Sequence, residues 1–125
     1  MFKLLLVALG GSAGSVLRYL VSGWAQDLTP GSLFPYGTLA VNIVGCLVFG
    51  VIASAGDVRF AIGPSGRALL LTGVIGGFTT FSAFSFETFA LIRDGELGLA
   101  LLNVGGQIMF GLLAMWAGYT IPRVL

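Results

Sequence analysis

The sequence predicts an all-helical protein embedded in a membrane, and two observations carry that prediction. Of its 125 residues, 57% are hydrophobic and only 9% are charged, against about 25% charged in an ordinary soluble domain. Mean hydropathy is +1.02. The apolar residues are also gathered into four windows, each near the roughly 20 residues that a helix needs to cross a bilayer. They run over about 4–24, 37–55, 68–92 and 97–121.

The first window opens with Lys3 and LLLVALG and continues past Gly14. A cleaved signal peptide would stop sooner, so a span is the better reading. DLTPGSLFP (27–35) separates it from the second window, GDVRFAIGPSGR (56–67) separates the second from the third, and RDGE (93–96) precedes the fourth. Pro and Gly break the first two connections, and charge marks the third. Nothing is left over for a soluble domain, so residues 1–125 read as a single four-helix transmembrane domain. Long period-2 strands of the kind that build a barrel are absent.

Charge and chemistry exclude several functions. A net charge of +1 offers no basic surface for nucleic acid. The chain has no His and one Cys, Cys46, so it has no histidine-ligated metal and no intrachain disulfide. No pair of carboxylates is placed to cooperate within a span, and GGSAGS (10–15) follows no strand, so it is not a phosphate loop. The protein is not read as an enzyme.

Orientation signals are weak. Four spans put both termini on one side with the 56–67 connection, where Lys3, Arg59, Arg67 and Arg123 lie; Arg18 and Arg93 lie on the other. So small a bias by the positive-inside rule permits insertion both ways. An antiparallel homodimer about an in-plane two-fold axis would suit such a chain. A monomer of fixed orientation is the simpler alternative. GxxxG pairs at Gly10/Gly14 and Gly73/Gly77 favour close helix contact.

Polar residues at membrane depth usually face the bundle or a wet cavity. Five stand out: Arg18, Asn42, Glu87, Asn103 and Gln107. Arg18 also has the length to snorkel to the interface. Asn42 is either functional or interhelical glue, and Asn103 and Gln107, four apart, line one surface or serve as glue. The least ordinary stretch is GGFTTFSAFSFE (76–87), which mixes paired glycine, phenylalanine and hydroxyls inside an apolar run. Gly76-Gly77 permits a helix break near mid-span, which is tolerated at membrane depth only where protein or water covers it. A Phe-rich helix is ordinarily lipid-facing; the interleaved hydroxyls and double glycine argue for a lined pathway instead.

GGSAGSVLRYL (10–20), GTLAVNIVGCLVFG (37–50) and TGVIGGFTTFSAFSFET (72–88) together resemble the CrcB/Fluc family of fluoride channels, in order, in spacing and over essentially the whole chain. The resemblance implies an antiparallel, dual-topology homodimer of four-helix subunits in the inner (plasma) membrane, with the third helix broken near its middle. It further implies two pores for passive fluoride export and a structural sodium ion on the two-fold axis. By the same resemblance the backbone carbonyls of Gly76 and Thr79 hold the sodium, and Phe81 and Phe84 line the pore. Asn42 faces that pore, Ser82, Ser85 and Glu87 occupy the hydroxyl and acidic positions beyond the break, and Arg18 and Gly77 are structural. The chain departs from the family pattern at Ala83, where threonine is frequent, and in the fourth span. There Asn103, Gln107, Gly111 and Met115 stand where relatives carry Tyr, Ser, Ser and Thr. Gln107 is the candidate replacement donor. Rival classes are a small proton-coupled multidrug transporter, which needs an acid that the first span lacks, and a non-transporting assembly subunit.

Overall fold

A computed structural model describes residues 1–58 and 62–124, so Arg59 of the orientation argument lies outside the described residues. Helix α1 spans Phe2–Asp27 and α2 spans Tyr36–Val58. A short α3 (Pro64–Arg67) runs into a π-helix over Ala68–Ile75, then α4 (Gly76–Phe78), then α5 (Phe81–Arg93). Helix α6 spans Leu97–Val124. Four stretches are long and apolar enough to cross a membrane: Phe2–Asp27, Tyr36–Gly56, Pro64–Arg93 and Leu97–Val124.

The connections follow local chemistry. Gly31 adopts φ +80° just after Pro30, in the turn leaving α1. Gly95, at φ +84°, ends α5. There the Glu96 N–H donates to the Leu91 carbonyl at 2.8 Å, the long bond of a Schellman-type cap that needs a left-handed residue. Gln26 staples the first connection. Its Nε2 donates to the Phe34 carbonyl at 3.3 Å, and its Oε1 accepts from the Gly37 N–H at 3.2 Å in the first turn of α2.

Helices pack in two close seams. In one, α1 lies on the π-helix and α4; in the other, α2 lies on α6. Glycine permits both. A Cβ on Gly10 would stand 2.5 Å from the Leu69 carbonyl, and one on Gly77 would stand 2.6 Å from the Gly11 carbonyl. In the second seam a Cβ on Gly50 would stand 2.6 Å from the Met115 carbonyl. Backbones this near maximise van der Waals contact, the main adhesive where lipid removes the hydrophobic drive between helices. The outward faces are apolar, as a lipid-facing surface requires: Leu4, Leu9, Leu101 and Leu112 are all exposed.

The third span differs from the sequence expectation in one particular. Gly76 and Gly77 are helical, Gly76 at φ −62° and ψ −36°. Extended dihedrals fall instead on Thr79 (φ −77°, ψ 156°) and Thr80 (φ −148°, ψ 117°). Gly77 serves close packing against α1 while Gly76 is exposed, and the departure from helix occurs where other helices supply hydrogen-bond partners.

Candidate anion pathway

Two consecutive extended residues leave backbone groups without helical partners, and at membrane depth water does not satisfy them. Asn42, reaching from α2, does so. The Thr80 N–H donates to Asn42 Oδ1 at 2.9 Å, and Asn42 Nδ2 donates to the Thr80 carbonyl at 3.0 Å. The side-chain amide thus pairs with Thr80 as a neighbouring strand would. Thr80 then caps α5, its Oγ1 accepting from the Ala83 N–H at 3.2 Å. Thr79 donates through Oγ1 to the Ile75 carbonyl at 3.0 Å.

These bonds have a consequence for two carbonyls. In a continuous helix the Thr80 N–H would bond Gly76 O, and the Ala83 N–H would bond Thr79 O. Asn42 takes the first donor and Thr80 Oγ1 takes the second.

A cavity of about 410 Å³ adjoins this clamp, lined among others by Asn42, Cys46, Thr80, Phe81, Phe84 and Gln107. The Phe81 and Phe84 rings stand 5.4 Å apart at 57°, an edge-directed arrangement. Asn42 Nδ2 also donates to Gln107 Oε1 at 3.0 Å, tying α2 to α6. Among the described residues no Lys, Arg, Asp or Glu lines this space.

On the other side of the clamp a larger cavity of about 780 Å³ is lined by Arg18, Gln26, Thr38, Val41, Thr80 and Glu87, with several neighbours. Thr80 borders both cavities, so its pairing with Asn42 lies at the divide. Arg18 is half-buried and lines the larger space. Glu87 accepts from Thr38 Oγ1 at 2.6 Å, while its Oε2 is buried without a partner. Next to it in sequence, Thr88 donates to the Phe84 carbonyl at 2.8 Å and accepts from Asn103 Nδ2 at 2.9 Å. Asn103 is fully buried.

The structure brings Asn42, Phe81, Phe84 and Gln107 together at one cavity, and Arg18 and Glu87 at the other. Ser82 and Ser85 are exposed on α5 and line neither space. Thr80 and Thr38 were not singled out in the sequence. A polar residue just ahead of a helix is a cap signal that points to Thr80. Nothing local marks Thr38, whose partner is 49 positions away.

Comparison with known proteins now bears on this arrangement. Residues 5–119 match the family described as CrcB-like protein, Camphor Resistance (CrcB). The chain belongs to this family. The Fluoride-specific ion channel FluC of Methylobacillus flagellatus is 43% identical over 124 residues, covering 99% of this chain and 97% of that protein. The FluC of Maridesulfovibrio salexigens is 43% identical over 125 residues, covering 100% and 98%. That of Rhizobium etli (strain ATCC 51251) is 46% identical over 125 residues, covering 100% and 99%. As a CrcB family member the chain is a multi-pass membrane protein of the ion-channel type and not an enzyme.

Proposed function

We propose that this chain is a fluoride-selective channel that lets cytoplasmic fluoride leave passively down its electrochemical gradient. One observation carries the reading beyond family membership: the tilted Phe81–Phe84 pair faces a cavity shared with the side-chain amides of Asn42 and Gln107 and free of charged side chains among the described residues. An aromatic ring is positive at its edge, so it attracts a small anion without holding it as an ammonium would. Amide N–H groups replace part of the hydration shell. Conduction needs sites that are favourable to enter and weak enough to leave. An inside-negative potential expels an anion with about 2.3 kcal/mol per charge per 100 mV, so no coupled energy source is required.

The working assembly in this proposal is an antiparallel homodimer of dual topology in the inner membrane. Phe81 is 79% exposed in the single chain, with exposed Ser82 and Ser85 beside it. A second copy of this chain would close the open side of the pathway and give those hydroxyls a wall to face. In the dimer, the extended Thr79–Thr80 pair is a break in the third helix that meets its partner at the two-fold axis. The carbonyls of Gly76 and Thr79, whose helical donors are engaged elsewhere, suit a structural sodium ion there. Backbone carbonyls are ligands for a hard cation. The ion's role is to join subunits through these oxygens.

The test is fluoride efflux from liposomes holding only the purified protein, followed with a fluoride electrode, with chloride as control. Fluoride efflux without chloride efflux is the expected outcome. A folded protein that passes no fluoride sinks the proposal. Reporters fused to the C-terminus should find both orientations in one cell population, and a single orientation removes the antiparallel dimer.

A further inference from the structure

The last turns of α6 carry side chains that the anion pathway does not use. Leu112, Trp116, Tyr119 and Arg123 recur at intervals of four, three and four, so they share one face of the helix. The face that α6 presses on α2 holds Gly111 and Gly118, both buried, and at 3.6 residues per turn it lies roughly a third of a turn away. The stripe therefore looks outward. Leu112 and Trp116 are 67% and 69% exposed, and Tyr119 and Arg123 are exposed as well.

The two ends of the stripe differ in chemistry. Arg123 Nη2 donates to Tyr119 Oη at 2.6 Å, and the guanidinium carbon lies 4.2 Å from the ring centroid. That contact uses one of the five guanidinium N–H donors, and because the phenol oxygen accepts, its own proton is left to donate elsewhere. Among the described residues no carboxylate forms an ion pair with Arg123. Arg123 stands beside the end of the span Leu97–Val124, at the level of lipid headgroups, whereas Trp116 lies about 10 Å deeper. Convergent donors at the surface and an apolar strip beneath them match an amphiphile with an anionic head. The surrounding charge agrees. Lys3 and Arg67 stand at the same end of the bundle, while the opposite end carries Asp27, Asp94 and Glu96 against Arg93.

We propose that this stripe binds an anionic phospholipid: the Arg123 guanidinium and the Tyr119 hydroxyl take the phosphate, and Trp116 and Leu112 cover the first part of an acyl chain. A planar guanidinium matches phosphate with paired N–H bonds, and an indole suits the boundary between headgroup and acyl chain. A zwitterionic lipid carries the same phosphate, but its ammonium offsets the charge that the basic end of the bundle attracts. The site therefore prefers a lipid of net negative charge. The inference needs only the four spans and stands apart from the fluoride reading. In an antiparallel dimer the two copies of the site face opposite leaflets.

The test reads Trp116 in a membrane. The chain has two tryptophans, Trp24 and Trp116, so Trp24→Phe leaves Trp116 as the sole indole reporter. This variant is placed in phosphatidylcholine liposomes that contain a minor fraction of either phosphatidylglycerol or phosphatidylcholine with brominated acyl chains, whose bromine quenches a neighbouring indole. Brominated phosphatidylglycerol should quench Trp116 with about fivefold higher apparent affinity, the order expected for one arginine near an anionic headgroup. Adding Arg123→Gln should bring the two lipids to parity. Equal quenching by both lipids before that change, or a preference that survives it, overturns the inference. So does an absence of quenching by either lipid, the result if a second copy of the chain covers this face. If Trp24→Phe does not fold, the Trp116 signal is taken as the difference between wild type and Trp116→Phe. If Arg123→Gln does not insert, Tyr119→Phe is read in its place; losing the phenol donor should lower the preference about twofold, and an unchanged preference overturns the inference. Fluoride flux is not read here, so failure of the channel reading leaves this test standing.

Discussion

The two halves of the third span are built differently. Its first half, the π-helix and α4, is held by backbone against backbone: Gly73 faces Gly10 and Gly77 faces Gly11, with no side chain between. Its second half, α5, is held by side-chain hydrogen bonds, from Thr38 to Glu87 and from Asn103 to Thr88. The phenylalanines report the contrast. Phe78 in the first half is 7% exposed, whereas Phe81, Phe86 and Phe89 in the second are 79%, 68% and 61% exposed. A glycine seam has no adjustable part, so it fixes where the chain runs. A few polar bonds tether α5 while leaving one face open for rings, and in our proposal for an ion and a second subunit.

The contrast breaks most severely at Gly77. A Cβ there would lie 2.6 Å from the Gly11 carbonyl, an atom with no freedom to retreat. Gly77→Val should cost about 3 kcal/mol or more, the upper range for overpacking. Thermal melting and size-exclusion chromatography should show loss of folded protein. The matching change in the other half, Ser85→Val on the exposed face of α5, should stay within about 0.5 kcal/mol. Equal losses at both positions would erase the distinction.

Phe81→Ile should act the opposite way, on flux and not on folding. The side chain is 79% exposed, so the melting temperature should hardly move. Loss of the ring edge, worth up to about 1.5 kcal/mol, should slow fluoride efflux about tenfold. Wild-type flux from the Ile variant would reduce the ring to packing. A modest effect on stability is expected for Asn103→Leu. The residue is fully buried, yet its Oδ1 has no partner, and Thr88 keeps its bond to the Phe84 carbonyl without it. Exchanging a half-satisfied amide for an apolar group of similar size should alter stability by no more than about 1 kcal/mol. A loss beyond about 2 kcal/mol, measured by melting, would mean that the buried oxygen has a partner when the protein is assembled.

Much of this is legible in the amino-acid sequence. Four apolar windows and their breakers are local properties, because a bilayer demands length and apolarity within one segment, and the same four spans appear as helices. The polar residues at membrane depth were equally visible, since each is conspicuous against apolar neighbours. Their partners were not. That Asn42 meets both Thr80 and Gln107 joins positions 38 and 65 residues apart, which no window of sequence contains.

The departure from helical geometry marks the boundary between the two kinds of knowledge. Composition, span number and family membership follow from the order of residues alone, because each depends on what a segment is made of. Glycine at 76 and 77 only permits non-helical backbone; it does not compel it. Tertiary structure decided otherwise, keeping both glycines helical, Gly77 in contact with α1, and extending Thr79 and Thr80 instead. The physical reason is hydrogen-bond satisfaction. Buried backbone leaves a helix only where other groups take over its donors and acceptors, and here Asn42 on α2 and the Thr80 hydroxyl do so.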